Sequence, residues 1–211
     1  MTHEQDKAAY MGRITAALTH EMRNVLATMR ESGGLLEDVL MMHKEDFPRR
    51  EIFEKSLGRI GTQAKRGMDI CAALSRLAHS PDTPVATLNA AEWLDYFVFI
   101  CSRFARLKEI SLAHGMTPAG ISFSTDPVQF QMVLFHVMDA LFGVLPAASS
   151  VTLTGEAAGS GLTVRFNVSG GPLPQPDSSP ELALAQSLLA GAGGFLRSDS
   201  SVGQIETFFA S

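Results

Sequence analysis

Apolar residues recur along the first eighty positions at the spacing of long helices. Between about residues 4 and 42, Ile14, Leu18, Val25 and Met29 fall at intervals of four, seven and four, lining one face of an α-helix. A turn at Glu45-Asp46-Phe47-Pro48 interrupts this pattern, and a second one runs to about Ala78. Its apolar positions Phe53, Leu57, Ile60, Ala64, Met68, Cys71, Leu74 and Ala78 mix intervals of three and four, a heptad-like seam. Together they predict the two arms of a helical hairpin. Such a pair buries little by itself, so association with a second copy into a four-helix bundle, a homodimer, is expected. Gly33 and Gly34 each weaken the first arm by roughly 1 kcal/mol relative to Ala and mark a bend or a close helix approach.

Near residue 80 the pattern changes. Ser80-Pro81-Asp82-Thr83-Pro84 is a linker by composition, because proline cannot continue the preceding helix, and it divides the chain into 1–80 and 86–211. Asn89 with Glu92 reads as a capping box opening a helix to about Leu107. Short alternating runs at 110–113 and 121–123 read as strands, and Asp126-Pro127 supplies an N-cap and a first-turn proline for a helix to about Leu145. Met132 and Met138 on that helix read as core residues rather than as a binding groove. The runs 151–154 and 162–166 form a hairpin around Gly159-Ser160-Gly161. A short helix at about 181–190 and two last strands, 195–198 and 204–209, complete the pattern. The fold class is therefore α+β, a long helical hairpin followed by an α/β sandwich whose helices cover one face of a mixed sheet.

Composition narrows the function classes. With 211 residues, 45% apolar and 18% charged, the chain can bury one or two cores and is not of the disordered class. The formal charge of -5, with Arg49, Arg50, Lys55, Arg59, Lys65 and Arg66 interleaved with acids, argues against a nucleic-acid partner. Cys71 and Cys101 lie in apolar helical patterns without metal-ligand spacing, so both are expected to be reduced core residues, as suits a cytoplasmic protein. No apolar run matches the roughly 18 residues of a membrane span, so a soluble chain with no membrane partner is expected.

The residues with chemical potential are Thr19-His20-Glu21-Met22-Arg23-Asn24. Helical positions i and i+4 share a face, so His20 and Asn24 project side by side, with Arg23 and Arg13 near the same stripe. At about 100° per residue, His20 falls opposite Leu18 and should be exposed. An exposed imidazole with a neighbouring carboxylate and nearby cations can attack phosphorus. The neutral ring nitrogen is the nucleophile, Glu21 would hold the other ring N–H, and the cations would stabilise phosphoryl oxygens. The competing reading, an ordinary surface or core histidine, is the one given to His3, His43, His79, His114 and His136.

The run His20-Glu21-Met22-Arg23-Asn24 resembles the H-box of bacterial histidine kinases. The resemblance implies that His20 is the phosphoacceptor, that Glu21 assists it, and that Asn24 serves removal of phosphate from a partner response regulator. Val25 stands where that family often has a helix-bending proline. The order of elements after residue 86 resembles the ATP-binding domain of the same family. Its N-box places two asparagines four apart on nucleotide phosphate and magnesium, and the corresponding positions here hold Phe135 and Asp139. The next box should carry an adenine-reading Asp, and Ser169-Gly170-Gly171 stands there instead. The phosphate-cradling Gly-x-Gly-Leu of the lid is replaced by Glu181-Leu182-Ala183-Leu184. Gly193-Gly194-Phe195-Leu196 and the run 200–208 still look like the terminal hairpin of that domain. The structural residues persist while the nucleotide-contacting ones do not.

Three functions follow from this balance. The first is a histidine phosphotransferase of a phosphorelay, carrying a phosphoryl group between receiver-domain aspartates through His20 with no ATP. It uses no cofactor of its own, because the partner receiver domain supplies the Mg2+. The second is an ATP-dependent histidine kinase core with divergent boxes, which predicts nucleotide binding. The third is a non-catalytic adaptor or response-regulator phosphatase, which predicts that His20→Ala leaves function intact. For a docking receiver domain the expected contact residues are Arg13, Ala16, Ala17, Arg23 and Ala27, with 65–69 on the second arm.

Overall fold

The two apolar stripes near the start fold as α1 (His3–Met42) and α2 (Arg50–His79). The chain is a computed structural model describing residues 3–42 and 50–211, so the expected turn at Glu45 to Pro48 lies outside the described residues. It separates into a helical unit, Met11–Ala78, and an α/β unit made of the chain up to Tyr10 together with His79–Ser211. The first turns of α1 belong to the second unit.

Within the helical unit, α1 buries Ile14, Leu18 and Val25 of the expected stripe, with Leu36 and Val39 beyond it, while Met29 is half-buried. On α2 the buried residues are Ser56, Ile70, Ala73 and Leu77, whereas Leu57, Met68, Cys71 and Ala78 of the expected seam are exposed. α2 carries two adjacent apolar stripes, and periodicity alone does not say which one meets α1. Cys71 is consequently not a core residue, although it is a free thiol like the buried Cys101. At Gly67 a Cβ would stand 3.4 Å from Val25 Cγ1 and 3.8 Å from Met22 Sδ, so this glycine marks the close approach of the arms.

The α/β unit is built on a five-stranded mixed sheet in the order β2-β4-β5-β7-β6. Its strands are β2 (Ser111–His114), β4 (Ser150–Ala158), β5 (Gly161–Ser169), β6 (Phe195–Asp199) and β7 (Gln204–Phe209). Only the β2–β4 pair is parallel. The expected strand at 121–123 forms as β3 (Ser122–Thr125), but it leaves the main sheet and pairs with β1 (Ala86–Asn89), a strand too short for its alternation to be read. Three helices supply the other layer. α3 (Ala90–Leu107) starts at Asn89, whose side chain accepts the Glu92 N–H, and α4 (Pro127–Val144) starts at Asp126, whose carboxylate accepts from Val128 and Gln129. α5 (Pro180–Gly191) is capped by Ser179.

α4 is apolar on nearly every face because most of it is enclosed, with Gln129, His136 and Asp139 half-buried. Val128, Phe130, Met132, Val133, Leu134, Phe135, Val137, Met138 and Leu141 are all buried, as the core assignment of the two methionines requires. By length and composition α4 could cross a bilayer, contrary to the expectation that no segment would, yet 72% of that stretch is buried within the fold and it reads as a core helix. Gly161 opens β5 where a Cβ would stand 2.1 Å from the Phe209 carbonyl oxygen of the paired strand. Gly161→Ala should therefore destabilise the unit by about 1–3 kcal/mol, measured as a lower urea midpoint at unchanged slope.

Candidate functional site

His20 is exposed on α1, as its helical phase predicts, and Asn24 lies one turn further along the same exposed face. Arg13, Ala16 and Arg23 are exposed too, and Ala27 is half-buried. Ala17 is buried, so it packs within the fold and is not on the outward face with the others. Lys65 and Asp69 of α2 are exposed. Glu21 departs further from its expected role. It is buried, and its Oε1 accepts a hydrogen bond from Nη2 of Arg66 on α2, an ion pair between the arms. The carboxylate expected to orient the His20 ring is committed to a guanidinium that sequence reading assigned to a solvated face. The missed signal was phase, because Glu21 falls in the buried stripe between Leu18 and Val25.

Beside this face lies an apolar groove of about 450 Å³, lined on α1 by Met22, Val25, Leu26 and Met29 and on α2 by Ala64, Gly67, Met68 and Cys71. Leu26 is 57% exposed and Met68 65%, so the groove presents apolar side chains from both arms to solvent.

The positions set against the nucleotide boxes lie in the α/β unit. Phe135 is fully buried, its ring meeting Tyr10 edge-on at 5.4 Å and Phe104 at 5.5 Å between centroids. Asp139 is half-buried and already engaged. Ser169 is exposed at the end of β5. A Cβ on the following Gly171 would stand 2.7 Å from Pro146 Cδ and 2.8 Å from Leu145 Cδ2, so the glycine pair is needed for the packing of its own loop. Glu181, in the first turn of α5, accepts from the Ser179 hydroxyl at 2.9 Å. Among the described residues no group of three or more His, Cys, Asp or Glu is placed to hold a metal ion.

No protein-family model matches the chain. In sequence it is 22% identical over 166 residues to sensor protein CreC of Escherichia coli, covering 78% of this chain and 33% of that protein. It is 29% identical over 136 residues to sensor protein kinase PilS of Pseudomonas aeruginosa, covering 64% of this chain and 24% of that one. The chain thus spans a third or less of the length of the curated relatives it matches. Among solved structures, histidine kinase AdeS of Acinetobacter baumannii aligns with a TM-score of 0.50 over 90% of this chain and 97% of its own, at 9% identity. The catalytic domain of histidine kinase ThkA aligns with a TM-score of 0.51 over 60% of this chain and 95% of its own, at 15% identity. The chain has the histidine kinase core fold.

Within that fold, Phe135 and Glu181 differ in chemistry from the residues that the resemblance sets at the nucleotide boxes. Phe135 offers no donor or acceptor and is occupied by packing, while the Glu181 carboxylate stands at a helix start where phosphates would need positive partners. The space around α4 is taken up by the chain itself. Tyr10 donates its O–H to Oε1 of the fully buried Gln131 at 2.9 Å, and Gln131 Nε2 donates to Ser80 Oγ at 3.1 Å and to the Pro127 carbonyl at 2.8 Å. Neither Tyr10 nor Gln131 carried a sequence signal, since each looks like an ordinary helical residue. Elsewhere in the α/β unit, His114 joins Asp95 at 2.6 Å and Thr117 at 2.8 Å, a tie between the end of β2 and α3.

Burial pushes the Tyr10 phenol well above its ordinary pKa, with smaller contributions from Cys101 and Tyr96. The neutral phenol is thus the form the fold favours, so its stabilisation is complete below the unfolded value of about 10 and is lost as pH rises from there toward the folded one. The stability difference between the parent chain and Tyr10→Phe should shrink above about pH 10. At neutral pH, Tyr10→Phe should cost about 1–3 kcal/mol by leaving the Gln131 oxygen without its donor. Urea midpoints from pH 7 to 11 would test both.

Proposed function

We propose that the chain is a histidine phosphotransferase of a two-component phosphorelay, acting through His20 without nucleotide. The observation that carries this reading is that the kinase core keeps an exposed His20 while Phe135, at the nucleotide position, is buried under Tyr10 and Phe104. In the reaction, the lone pair of a His20 ring nitrogen forms the N–P bond as the P–O bond of an aspartyl phosphate breaks. The aspartate carboxylate leaves with the electron pair, and the return transfer reverses these events. Mg2+ would be held by the receiver domain that carries the aspartate. Arg13 and Arg23 supply positive charge on the same face, and Asn24 offers an amide one turn from the imidazole.

The partners of this reading are response-regulator receiver domains and a second copy of the chain, in a cytoplasmic setting. Support for the second copy comes from the exposed apolar groove, which continues the stripe of α2 that α1 does not cover. Sedimentation should give twice the 22.7 kDa chain mass, and Leu26→Asp should shift the protein toward the monomer.

The sensor kinases it resembles favour a second reading, an ATP-dependent kinase core, and one titration separates the two. Calorimetry with ADP and a non-hydrolysable ATP analogue in Mg2+ should give no binding heat at millimolar nucleotide. Micromolar binding would overturn the nucleotide-free reading. A receiver domain charged with acetyl phosphate should then label the chain on His20.

A further inference from the structure

We propose that Arg66 of the second arm is a positioning residue for His20, acting through its ion pair with Glu21. The inference rests on the phosphotransfer reading and names a residue that the H-box pattern does not contain.

The buried stripe of α1 within the helical unit runs Ile14, Leu18, Glu21, Val25, Ser32, Leu36 and Val39, and Glu21 is the one ionisable side chain in it. A carboxylate at such a position is costly unless paired, and a pair between two packed helices contributes more to register and rotation than to net stability. Arg66 supplies the cation, and the neighbouring Gly67 lets the arms approach at Met22 and Val25. Arg66 and Gly67 thus meet α1 on both sides of one point, in polar contact at Glu21 and in apolar contact one turn on. His20 precedes Glu21 directly, so about 100° of helical rotation separates them. Locking Glu21 into the seam therefore locks His20 outward. The alternative rotation would swing the imidazole toward the seam and bring the carboxylate to the surface. The Arg66 side chain is 40% exposed and that of Glu21 11%, so the pair sits at the rim of the seam beside the face that presents His20.

Phosphoramidate tests the idea without a protein partner. A His20 ring nitrogen forms the N–P bond, the P–N bond of the zwitterionic donor breaks, and ammonia leaves with its electron pair. Initial rates against donor concentration, with phosphohistidine mapped to His20, separate saturating rate from apparent KM. Arg66→Met should lower the saturating rate about tenfold or more, since small displacements of a reacting group are costly, and leave apparent KM within about twofold. The contact involves one guanidinium nitrogen, so Arg66→Lys should keep the rate within about threefold of the parent. Glu21→Arg combined with Arg66→Glu rebuilds the pair in reverse and should recover most of the rate even if Arg66→Met loses helicity. An unchanged rate in Arg66→Met, a change confined to KM, or no recovery in either Arg66→Lys or the reversed pair would overturn the role of Arg66 alone. No phosphohistidine at His20 in the parent chain would overturn the phosphotransfer reading and this inference with it.

Discussion

His20→Ala should reduce phosphoryl acceptance at least about a thousandfold, since the nucleophile itself is removed. The fold should be untouched, because exposed substitutions away from special features stay within about 0.5 kcal/mol. His20 is exposed on α1 and makes no contribution to the buried stripe formed by Leu18, Glu21 and Val25. Circular dichroism and sedimentation should therefore match the parent, and only acid-labile, base-stable labelling from a charged receiver domain should vanish. Asn24→Ala should leave labelling of His20 in place. If His20→Ala still took up label, or still supported signalling through the chain, the hairpin would be a docking surface and His20 an ordinary surface histidine.

Phe135→Asn should lower thermal stability without creating a nucleotide site. The substitution supplies the amide that resemblance to the histidine kinases expects at this position. In this chain it removes a ring that packs on Tyr10 and Phe104 and leaves a polar group enclosed on α4. Loss of a buried aromatic side chain costs about 3–5 kcal/mol, and the enclosed amide adds a further cost if it finds no partner. For a unit of this size the shift in Tm is on the order of 10 °C, read by differential scanning calorimetry. ADP with Mg2+ should not restore the lost stability, because Glu181 and the closed Gly170-Gly171 loop remain. Nucleotide-dependent recovery of Tm would mean that a single side chain blocks an otherwise intact site.

Some features of the chain are set within a few residues of one another. The exposure of His20 follows from helical phase alone, because the positions of Leu18 and Val25 fix which way every neighbour on the same helix points. The caps at Asn89, Asp126 and Ser179 are also local, a side chain meeting a backbone N–H two or three residues away, and two of the three were readable as such. The residues that stand where the resemblance sets nucleotide contacts, Phe135, Asp139, Ser169 and Glu181, are read directly from the chain.

Other features depend on pairings that no local window contains. Periodicity located an apolar stripe on α2, but Leu57, Met68 and Cys71 belong to the uncovered one, because two stripes of similar character lie side by side. The strand at 122–125 was recognisable, yet its partner β1 lies 33 to 39 residues earlier and takes it out of the main sheet. Glu21 read as a companion of His20 because they adjoin in sequence, whereas its ion-pair partner Arg66 comes 45 residues later on the other arm. Tyr10 bonds Gln131 across 121 residues and thereby joins the first turns of α1 to the α/β unit. The sequence by itself determined the helices, most strands and the outward histidine, since each is set by steric and hydrogen-bonding preferences within a few residues. Tertiary structure alone decided which stripe is buried, which carboxylate is neutralised and what fills the space around Phe135, because those depend on the contact free energy between segments brought together only by folding.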